Sequence, residues 1–151
     1  MPAAGQISDE DIRTIQGVFP NLRDFTIVAP ETFSCNCIGW SLCSEDYGWV
    51  WPGDDPEDFD KLYRRFGWSR SKNCEPEAGK RKLALFRDRR GVTHAAKEAA
   101  DGNWWESKLG RSFRIRHRLR EIEGGVYGRV FRCYERPEPT ANLSQRAAQG
   151  G

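Results

Sequence analysis

Three short strand-like segments, joined by connections too short to hold a crossover helix, constrain the fold of this 151-residue chain more than any other feature. The segments run from Lys82 to Asp88, from Gly91 to Ala96 and from Trp104 to Leu109. Asp88-Arg89-Arg90-Gly91 links the first two, and a turn around Asp101-Gly102-Asn103 links the last two. Because such links reverse the chain direction, the sequence predicts an antiparallel β-meander.

Two amphipathic helices are predicted before the meander, and one strand after it. The first helix begins at the N-cap Ser8 and ends before Pro20, and the second follows Asp55 and ends at Gly67. The closing strand covers residues 128–136. Helices that precede an antiparallel sheet in this way indicate the α+β fold class.

Residues 113–119 allow two interpretations. They alternate apolar or His side chains with Arg, which is typical of a strand, whereas Ile115, Leu119 and Ile122 also fit the spacing of a helix. Residues 137–151 are rich in Pro, Ala, Gln and Gly and are expected to form a mobile tail. The chain is therefore predicted to hold one domain, residues 1–136, followed by this tail.

Composition and charge exclude several classes of protein. Six Trp, eight Phe and four Tyr residues supply the bulky apolar groups that a disordered chain lacks. No apolar run approaches the roughly 18 residues of a membrane span, and residues 1–16 lack the pattern of a secretion signal, so we expect a cytoplasmic protein without membrane contact. The formal charge is −6 over residues 1–75 and +8 over residues 76–151, but the basic residues are dispersed and match no nucleic-acid-binding motif. Nucleic acid is therefore not an expected partner.

The five cysteines predict neither a disulfide framework nor a metal site. Their number is odd and their spacing irregular, so reduced thiols are expected. Cys35, Cys37 and Cys43 lack the paired spacing of zinc ligands. Cys35 is either a resolving thiol or a packing residue, and Cys43, Cys74 and Cys133 are expected to pack in the core or lie on the surface.

A cysteine at a helix start, followed by a histidine on a strand, indicates nucleophilic chemistry. A short helical pattern places Cys37 and Trp40 on one face, with Ser34 or Asn36 as its cap. The positive end of that helix would stabilise a Cys37 thiolate, and His94 on the second strand of the meander could accept the thiol proton. The first-turn N–H groups and the Asn36 side chain are candidate donors to an oxyanion.

A catalytic histidine needs a third group that fixes its ring tautomer, and the next strand is where we expect it. If Asp101-Gly102 is a two-residue turn, residues whose numbers add to 203 are paired, and Ser107 shares the face of His94. A shift of one residue would bring Glu106 to that face instead. Both residues are candidates, with His117 as a more distant third.

The motifs that carry these residues resemble a family of small uncharacterised bacterial proteins, over residues 20–136. They are Asn36-Cys37-Ile38-Gly39-Trp40, Thr93-His94-Ala95, Ser107-Lys108-Leu109-Gly110, Ile115-x-His117 and Tyr127-Gly128. The order of Cys before His is similar to that of the papain-like superfamily, especially the NlpC-type and CHAP-type cell-wall amidases. This resemblance implies a papain-like fold, in which Cys37 is the nucleophile and His94 the base. The Ala-Ala-Lys that follows His94 differs from the apolar strand of the cell-wall enzymes, so peptidoglycan is not implied.

The sequence therefore predicts a cysteine-dependent hydrolase, meaning a peptidase, amidase or deamidase, that forms an acyl-enzyme on Cys37 without a cofactor or metal. Its substrate would be a peptide or another amide. Trp49 and Trp51 either line a substrate groove or belong to the core. The alternatives are an effector or toxin domain, and a non-catalytic binding module that holds a protein partner or an anionic ligand. Such a module would use the two tryptophans and the row Arg114, Arg116, Arg118 and Arg120.

Overall fold

One antiparallel sheet is the frame of this protein, whose computed structural model describes residues 8–30, 34–42, 48–100, 104–110 and 112–138. In chain order the elements are α1 (Asp9–Val18), β1 (Phe25–Ala29), α2 (Cys37–Leu42), α3 (Pro56–Arg65), β2 (Ser69–Ser71), β3 (Lys80–Asp88), β4 (Gly91–Glu98), β5 (Trp105–Lys108), β6 (Arg114–His117) and β7 (Arg129–Pro137), with a 3₁₀ helix at Leu119–Ile122. The described strands form a seven-stranded sheet of order β1-β6-β5-β4-β3-β7-β2, in which all pairs are antiparallel. The predicted α+β class is confirmed.

The predicted meander is confirmed, because β3, β4, β5 and β6 are successive neighbours in the sheet. Lys97 pairs with Glu106 and Glu98 pairs with Trp105, which is the register expected for a two-residue turn. The turn at Asp101-Gly102 itself lies outside the described residues. The β4–β5 ladder is short. Within the described residues it contains these two pairs, near the end of β4, although β4 begins at Gly91.

Both patterns in residues 113–119 correspond to real elements. The alternating part is β6, which ends at His117, and the helical spacing belongs to the 3₁₀ helix that follows. The expected arginine row is therefore divided: Arg114 and Arg116 lie on the strand, whereas Arg120 lies in the 3₁₀ helix. The closing strand β7 extends to Pro137, and the predicted tail falls almost entirely on residues 139–151, outside the described residues.

Apolar side chains cover both faces of the sheet. On one face, Ile15 and Phe19 from α1 and the loop after it pack with Ala84, Phe86, Ala96 and Ile115. On the other face, Ile38 and Leu42 of α2 and Phe59 and Tyr63 of α3 pack with Leu83, Leu85 and Ala95. Neighbouring strand residues alternate between the two clusters, as the two-residue period of a strand requires. We name these the α1 layer and the α2 layer. No helix in the described ranges is long and apolar enough to cross a membrane.

The expectation of reduced thiols at Cys74 and Cys133 is wrong, because these two residues form a disulfide with Cα atoms 5.5 Å apart. Strand β2 pairs with β7 so that Ser71 lies opposite Cys133, and the chain after β2 returns Cys74 to the same place. The two cysteines are 59 residues apart in the sequence, so their spacing alone could not show this contact. Cys35 and Cys37 are free and buried, and Cys43 lies outside the described residues.

Candidate active site

Asn36, one of the two residues that the sequence offered as the cap, is the N-cap of α2. Its Oδ1 accepts a hydrogen bond from the backbone N–H of Gly39 (2.8 Å), which is the third residue of the helix. The same oxygen accepts from Val50 N–H (3.2 Å), and Asn36 Nδ2 donates to the Val50 carbonyl (2.8 Å). One side chain thus caps α2 and joins it to residues 48–51. These bonds occupy one of the two amide hydrogens, and an oxyanion role for Asn36 stays a prediction.

Gly39 is required by the close approach of residues 48–51 to α2. A Cβ atom built on Gly39 would overlap the carbonyl oxygen of Gly48, which itself accepts a hydrogen bond from Asn36 N–H (3.3 Å). The Asn-Cys-Ile-Gly-Trp motif therefore combines a cap, a thiol and a residue small enough for this contact.

Cys37 is the first residue of α2 and is 5% exposed. Burial raises the pKa of its thiol to about 11, and hydrogen bonding at the backbone of Ala95 and Ile38 and the charge of Lys108 oppose this rise. The direction is opposite to the one expected from the helix start, because loss of solvation outweighs those favourable contacts. The Cys37 thiol is therefore neutral at physiological pH in this state.

The start of α2 lies where β4 and β5 are not paired. α2 packs against both strands, and Cys37 is close to the backbone of Ala95, the residue after His94. The Cys37 side chain belongs to the α2 layer together with Ala95, whereas Phe86, which contacts His94, belongs to the α1 layer. The Cys37 thiol therefore lies beside the backbone of the residue that follows His94, whereas the His94 ring faces the opposite layer.

His94 is fully buried between two aromatic rings. Its ring stacks on Tyr127 (3.9 Å between centroids, 2° between planes) and lies 5.4 Å from the ring of Phe86. Burial, with the nearby His117, holds the pKa of His94 well below its ordinary value. Nε2 is 2.9 Å from Ser107 Oγ, whereas Nδ1 has no hydrogen-bond partner among the described residues. His94 is a neutral imidazole with one nitrogen bonded and the other unpartnered.

Ser107 and His117 determine which nitrogen of His94 carries the proton. Ser107 Oγ is 2.7 Å from His117 Nε2, and His117 Nδ1 is 2.8 Å from the carbonyl oxygen of Arg118. A carbonyl can only accept, so His117 carries its proton on Nδ1 and its Nε2 accepts from the Ser107 hydroxyl. The Ser107 oxygen then accepts from His94 Nε2–H, and the lone pair of His94 is left on Nδ1. Burial also lowers the pKa of His117, to about 4, so this ring is neutral as well.

The sheet register explains why Ser107 and not Glu106 meets His94. In the neighbouring β5–β6 ladder Trp105 pairs with His117, which puts His117 diagonal to Ser107 on the same face. Glu106 points to the other face, where its carboxylate forms ion pairs with Arg116 (3.1 Å) and Arg114 (3.5 Å). Glu106 is therefore not placed to orient His94. The Ile115-x-His117 alternation indicated that these two residues share a face. The link of His117 to His94 through Ser107 depended on the registers of both the β4–β5 and the β5–β6 ladder.

The tryptophans of the predicted site occupy two different environments. Trp40 is 5% exposed, and the Lys97 Nζ atom lies 4.7 Å from its ring centroid. Trp49 and Trp51 are 52% and 47% exposed, and Trp51 packs edge-on against Phe59 of α3 (5.3 Å). The core interpretation of Trp49 and Trp51 is thus wrong, and their role as a substrate wall stays a prediction. Among the described residues, no three His, Cys, Asp or Glu side chains come together in a group that could hold a metal ion.

Comparison with known proteins places the chain in a family. The sequence profile of a family described as a domain of unknown function (DUF7689) matches residues 26–135, which is well over half of the chain. No curated protein and no solved structure matches it. The match includes α2, the whole meander and almost all of β7. The chain therefore belongs to the DUF7689 family.

Proposed function

We propose that this member of the DUF7689 family is a cysteine-dependent hydrolase of papain-like type, in which Cys37 attacks an amide carbonyl and His94 is the general base. The observation that carries the proposal is the state of the His94 ring. Its Nε2 is fixed as a donor by the hydrogen bonds through Ser107 to His117, and its Nδ1 has no hydrogen-bond partner in the described part of the chain. The next residue, Ala95, contacts the Cys37 thiol through its backbone. Cys37, His94 and a polar third strand follow in the order expected of such enzymes.

A purely structural role accounts poorly for the unpartnered nitrogen. A buried polar atom without a partner costs about 1–3 kcal/mol, and the large majority of buried side-chain polar atoms in proteins have a hydrogen-bond partner. The His94 ring is held by two aromatic contacts and a two-member hydrogen-bond chain, all of which leave Nδ1 unused. A buried base that keeps its acceptor nitrogen unused is what proton transfer from a thiol requires.

The resting site is a neutral thiol and a neutral imidazole, because burial disfavours both ions. Proton transfer therefore accompanies attack and does not precede it. As the Cys37 sulfur forms its bond to the carbonyl carbon, the thiol proton passes to His94 Nδ1 and the carbonyl π electrons move to oxygen. Backbone N–H groups in the first turn of α2 are the donors for this oxyanion. Hydrogen bonds of this kind are often long in the free enzyme and shorten when substrate binds.

The remaining steps restore the neutral pair. The tetrahedral intermediate collapses, the C–N bond breaks, and His94 returns its proton to the leaving nitrogen, so that a thioester on Cys37 remains. Water attacks the thioester carbonyl and gives a proton to His94 Nδ1. The C–S bond then breaks, the sulfur takes that proton, and the carboxylic acid leaves. Ser107 and His117 hold the His94 ring in one tautomer during both halves of the reaction.

The test is iodoacetamide alkylation of the native protein, with the rate at each cysteine read by tandem mass spectrometry. Cys35 is the internal control, since it is also free and buried and lies two residues away. We expect Cys37 to react faster than Cys35, and the variant His94→Gln to slow Cys37 by about 10²-fold, the lower range for a general base, without changing Cys35. An equal rate at both cysteines, or a Cys37 rate unaffected by His94→Gln, would contradict the mechanism.

A non-catalytic binding module is the second candidate, and the exposed Trp49 and Trp51 favour it. Two aromatic side chains that are half exposed on one short loop are typical of a binding surface. A binding module has no need of a reactive thiol. The alkylation experiment therefore separates the two functions, because a module predicts Cys37 and Cys35 to be equally slow.

A further inference from the structure

The face of the sheet beside Cys37 carries several basic side chains. Cross-strand pairs lie on the same face, and two rows of such pairs run across β4, β5 and β6. One row is Lys97, Glu106 and Arg116, and the other contains Lys108 and Arg114. On this face, the described residues of the three strands contribute four cationic side chains and one carboxylate.

This basic face is next to the proposed nucleophile. Trp40, one turn after Cys37 in α2, lies under the ammonium group of Lys97 (4.7 Å) and near the guanidinium group of Arg114 (5.8 Å). The charge of Lys108 acts on the Cys37 thiol. The basic face therefore begins at Cys37 and extends from Trp40 toward β6 and the sheet edge.

The cations differ in how accessible they are. Lys108 is 1% exposed, and its ammonium group donates to the carbonyl oxygens of Gly110 and Ser112, so it adds charge but is not in contact with solvent. The side chains of Arg114 and Arg116 are 25% and 40% exposed and share the carboxylate of Glu106. Partly exposed guanidinium groups on a rigid sheet can exchange one carboxylate for another at little cost in side-chain entropy.

We propose that this face binds an acidic group of the substrate, so that the scissile amide belongs to a molecule with a carboxylate close to it, such as an acidic peptide. Lys97, Arg114 and Arg116 would hold the carboxylate, with the ring of Trp40 beneath it, and the carbonyl would then lie at Cys37. The inference rests on the proposed hydrolase function, and names the class of its substrate.

The test compares two alkylating reagents of nearly equal size, anionic iodoacetate and neutral iodoacetamide. The rate ratio of iodoacetate to iodoacetamide at Cys37 is divided by the same ratio for free cysteine. We expect a value of at least about 3, the effect of one unit charge at roughly 6 Å in water, and a return toward 1 in about 1 M salt. A value of 1 or less, with iodoacetamide still reacting at Cys37, would overturn the acidic subsite and leave the hydrolase standing.

Charge variants assign the effect to this face. Lys97→Gln and Arg114→Gln should each lower the ratio about threefold, since each removes one charge near Trp40. Arg13→Gln is the matched control, because Arg13 is exposed on α1, on the other side of the sheet. An equal fall in Arg13→Gln would mean that net charge and not this face sets the ratio.

A second readout covers the case in which neither reagent alkylates Cys37, which would refute the hydrolase. The indole N–H signal of Trp40 is then followed by NMR during titration with N-acetyl-glutamate and, separately, with N-acetyl-glutamine. A saturable shift with the acid alone supports an acidic ligand on this face. No shift, or the same shift with both compounds, refutes it.

Discussion

His94 and His117 lie two strands apart, and the hydroxyl group of Ser107 joins their rings, at 2.9 Å from one and 2.7 Å from the other. The carbonyl of Arg118 sets the direction of all these hydrogen bonds, since it can only accept a hydrogen bond. A backbone atom at the end of β6 thus determines the tautomer of a side chain on β4.

This series of hydrogen bonds predicts opposite tautomers for the two histidines of the sequence. ¹⁵N NMR of the imidazole nitrogens should show the proton of His94 on Nε2 and that of His117 on Nδ1. Because the sequence has two His residues, the assignment needs only one variant, His117→Gln. In Ser107→Ala the His94 signals should move toward an average of both tautomers. The control is Ser112→Ala, which should leave them unchanged because the Ser112 side chain takes no part in the hydrogen bonds between the two histidines. Equal tautomers in the native protein would contradict the assignment.

The buried histidines should make the protein less stable as the pH falls from 6.5 to about 4. Burial lowers the pKa of His117 to about 4 and that of His94 below its ordinary value, whereas both rings titrate near 6.5 in the unfolded chain. The unfolded state therefore binds more protons in this range, and the free energy of unfolding decreases with falling pH. Urea unfolding at pH 7.0, 5.5 and 4.5 measures the slope, which should be smaller in His117→Gln. A native protein whose stability stays constant over this range would disprove the burial effect.

Glu135 should stabilise the fold at neutral pH and lose its effect in acid. It accepts hydrogen bonds from Lys80 and Ser71 and from the buried Lys82, and these contacts lower its pKa to about 2. Its contribution is full above the unfolded pKa of about 4.3 and is lost as the pH falls toward 2. We expect Glu135→Gln to lower the free energy of unfolding at pH 7 by about 1–3 kcal/mol, because the ammonium of Lys82 loses a charged partner.

The control for Glu135 is Glu75→Gln, an exposed glutamate of the same region. It removes the same charge without a contact to Lys82. If both variants lower the stability equally, the effect comes from net charge and not from the ion cluster.

Asn36→Ala should destabilise the start of α2. The substitution removes the cap, worth about 0.5–2 kcal/mol, together with both bonds to Val50. Asn36→Asp keeps the oxygen that accepts from Gly39 but not the amide donor to Val50, so we expect a smaller loss. Urea unfolding of the two variants measures the difference. Equal losses would show that the bond from the amide to Val50, and not the cap, carries the stability.

Reduction of the Cys74–Cys133 disulfide should lower the free energy of unfolding by about 4 kcal/mol, the loop-closure value for a separation near 60 residues. The measurement is urea unfolding of the native protein with and without a reductant, beside the double variant Cys74→Ser/Cys133→Ser. In that variant the reductant should have no further effect. Alkylation of Cys74 and Cys133 in native protein without reductant would show that the bond is absent.

The meander could be predicted because local signals were enough. The turn residues set the chain reversals. The pairs Lys97–Glu106 and Glu98–Trp105 match the two-residue turn at Asp101-Gly102, which was one of the two registers that the sequence left open. Ser8 marked the start of α1 for the same reason, and Asn36 was one of the two cap candidates, with Ser34, for α2. These features depend on residues close together in the sequence.

The rest depended on contacts between distant residues. Ser107 could be placed on the His94 face from one register, but the link to His117 also needed the β5–β6 register, which the sequence left undetermined. Burial of Cys37 reverses the expected direction of its pKa, and burial is a property of the packed layers and not of the helix start. The strand β2, which has no alternating pattern, exists because it pairs with β7.

The short ladder between β4 and β5 divides the sheet into two sub-sheets. One sub-sheet is β1-β6-β5 and the other is β4-β3-β7-β2. Among the described residues, backbone pairing joins them at Lys97–Glu106 and Glu98–Trp105, and Ala99 N–H donates to the Trp104 carbonyl (2.7 Å). On the face of the α1 layer, the hydrogen bond between His94 and Ser107 also connects the two sub-sheets, while α2 packs against β4 and β5 on the other face. Fewer backbone hydrogen bonds mean a lower free-energy cost of local opening between the two sub-sheets than within either one. The His94–Ser107 hydrogen bond therefore both orients the imidazole and links the two sub-sheets.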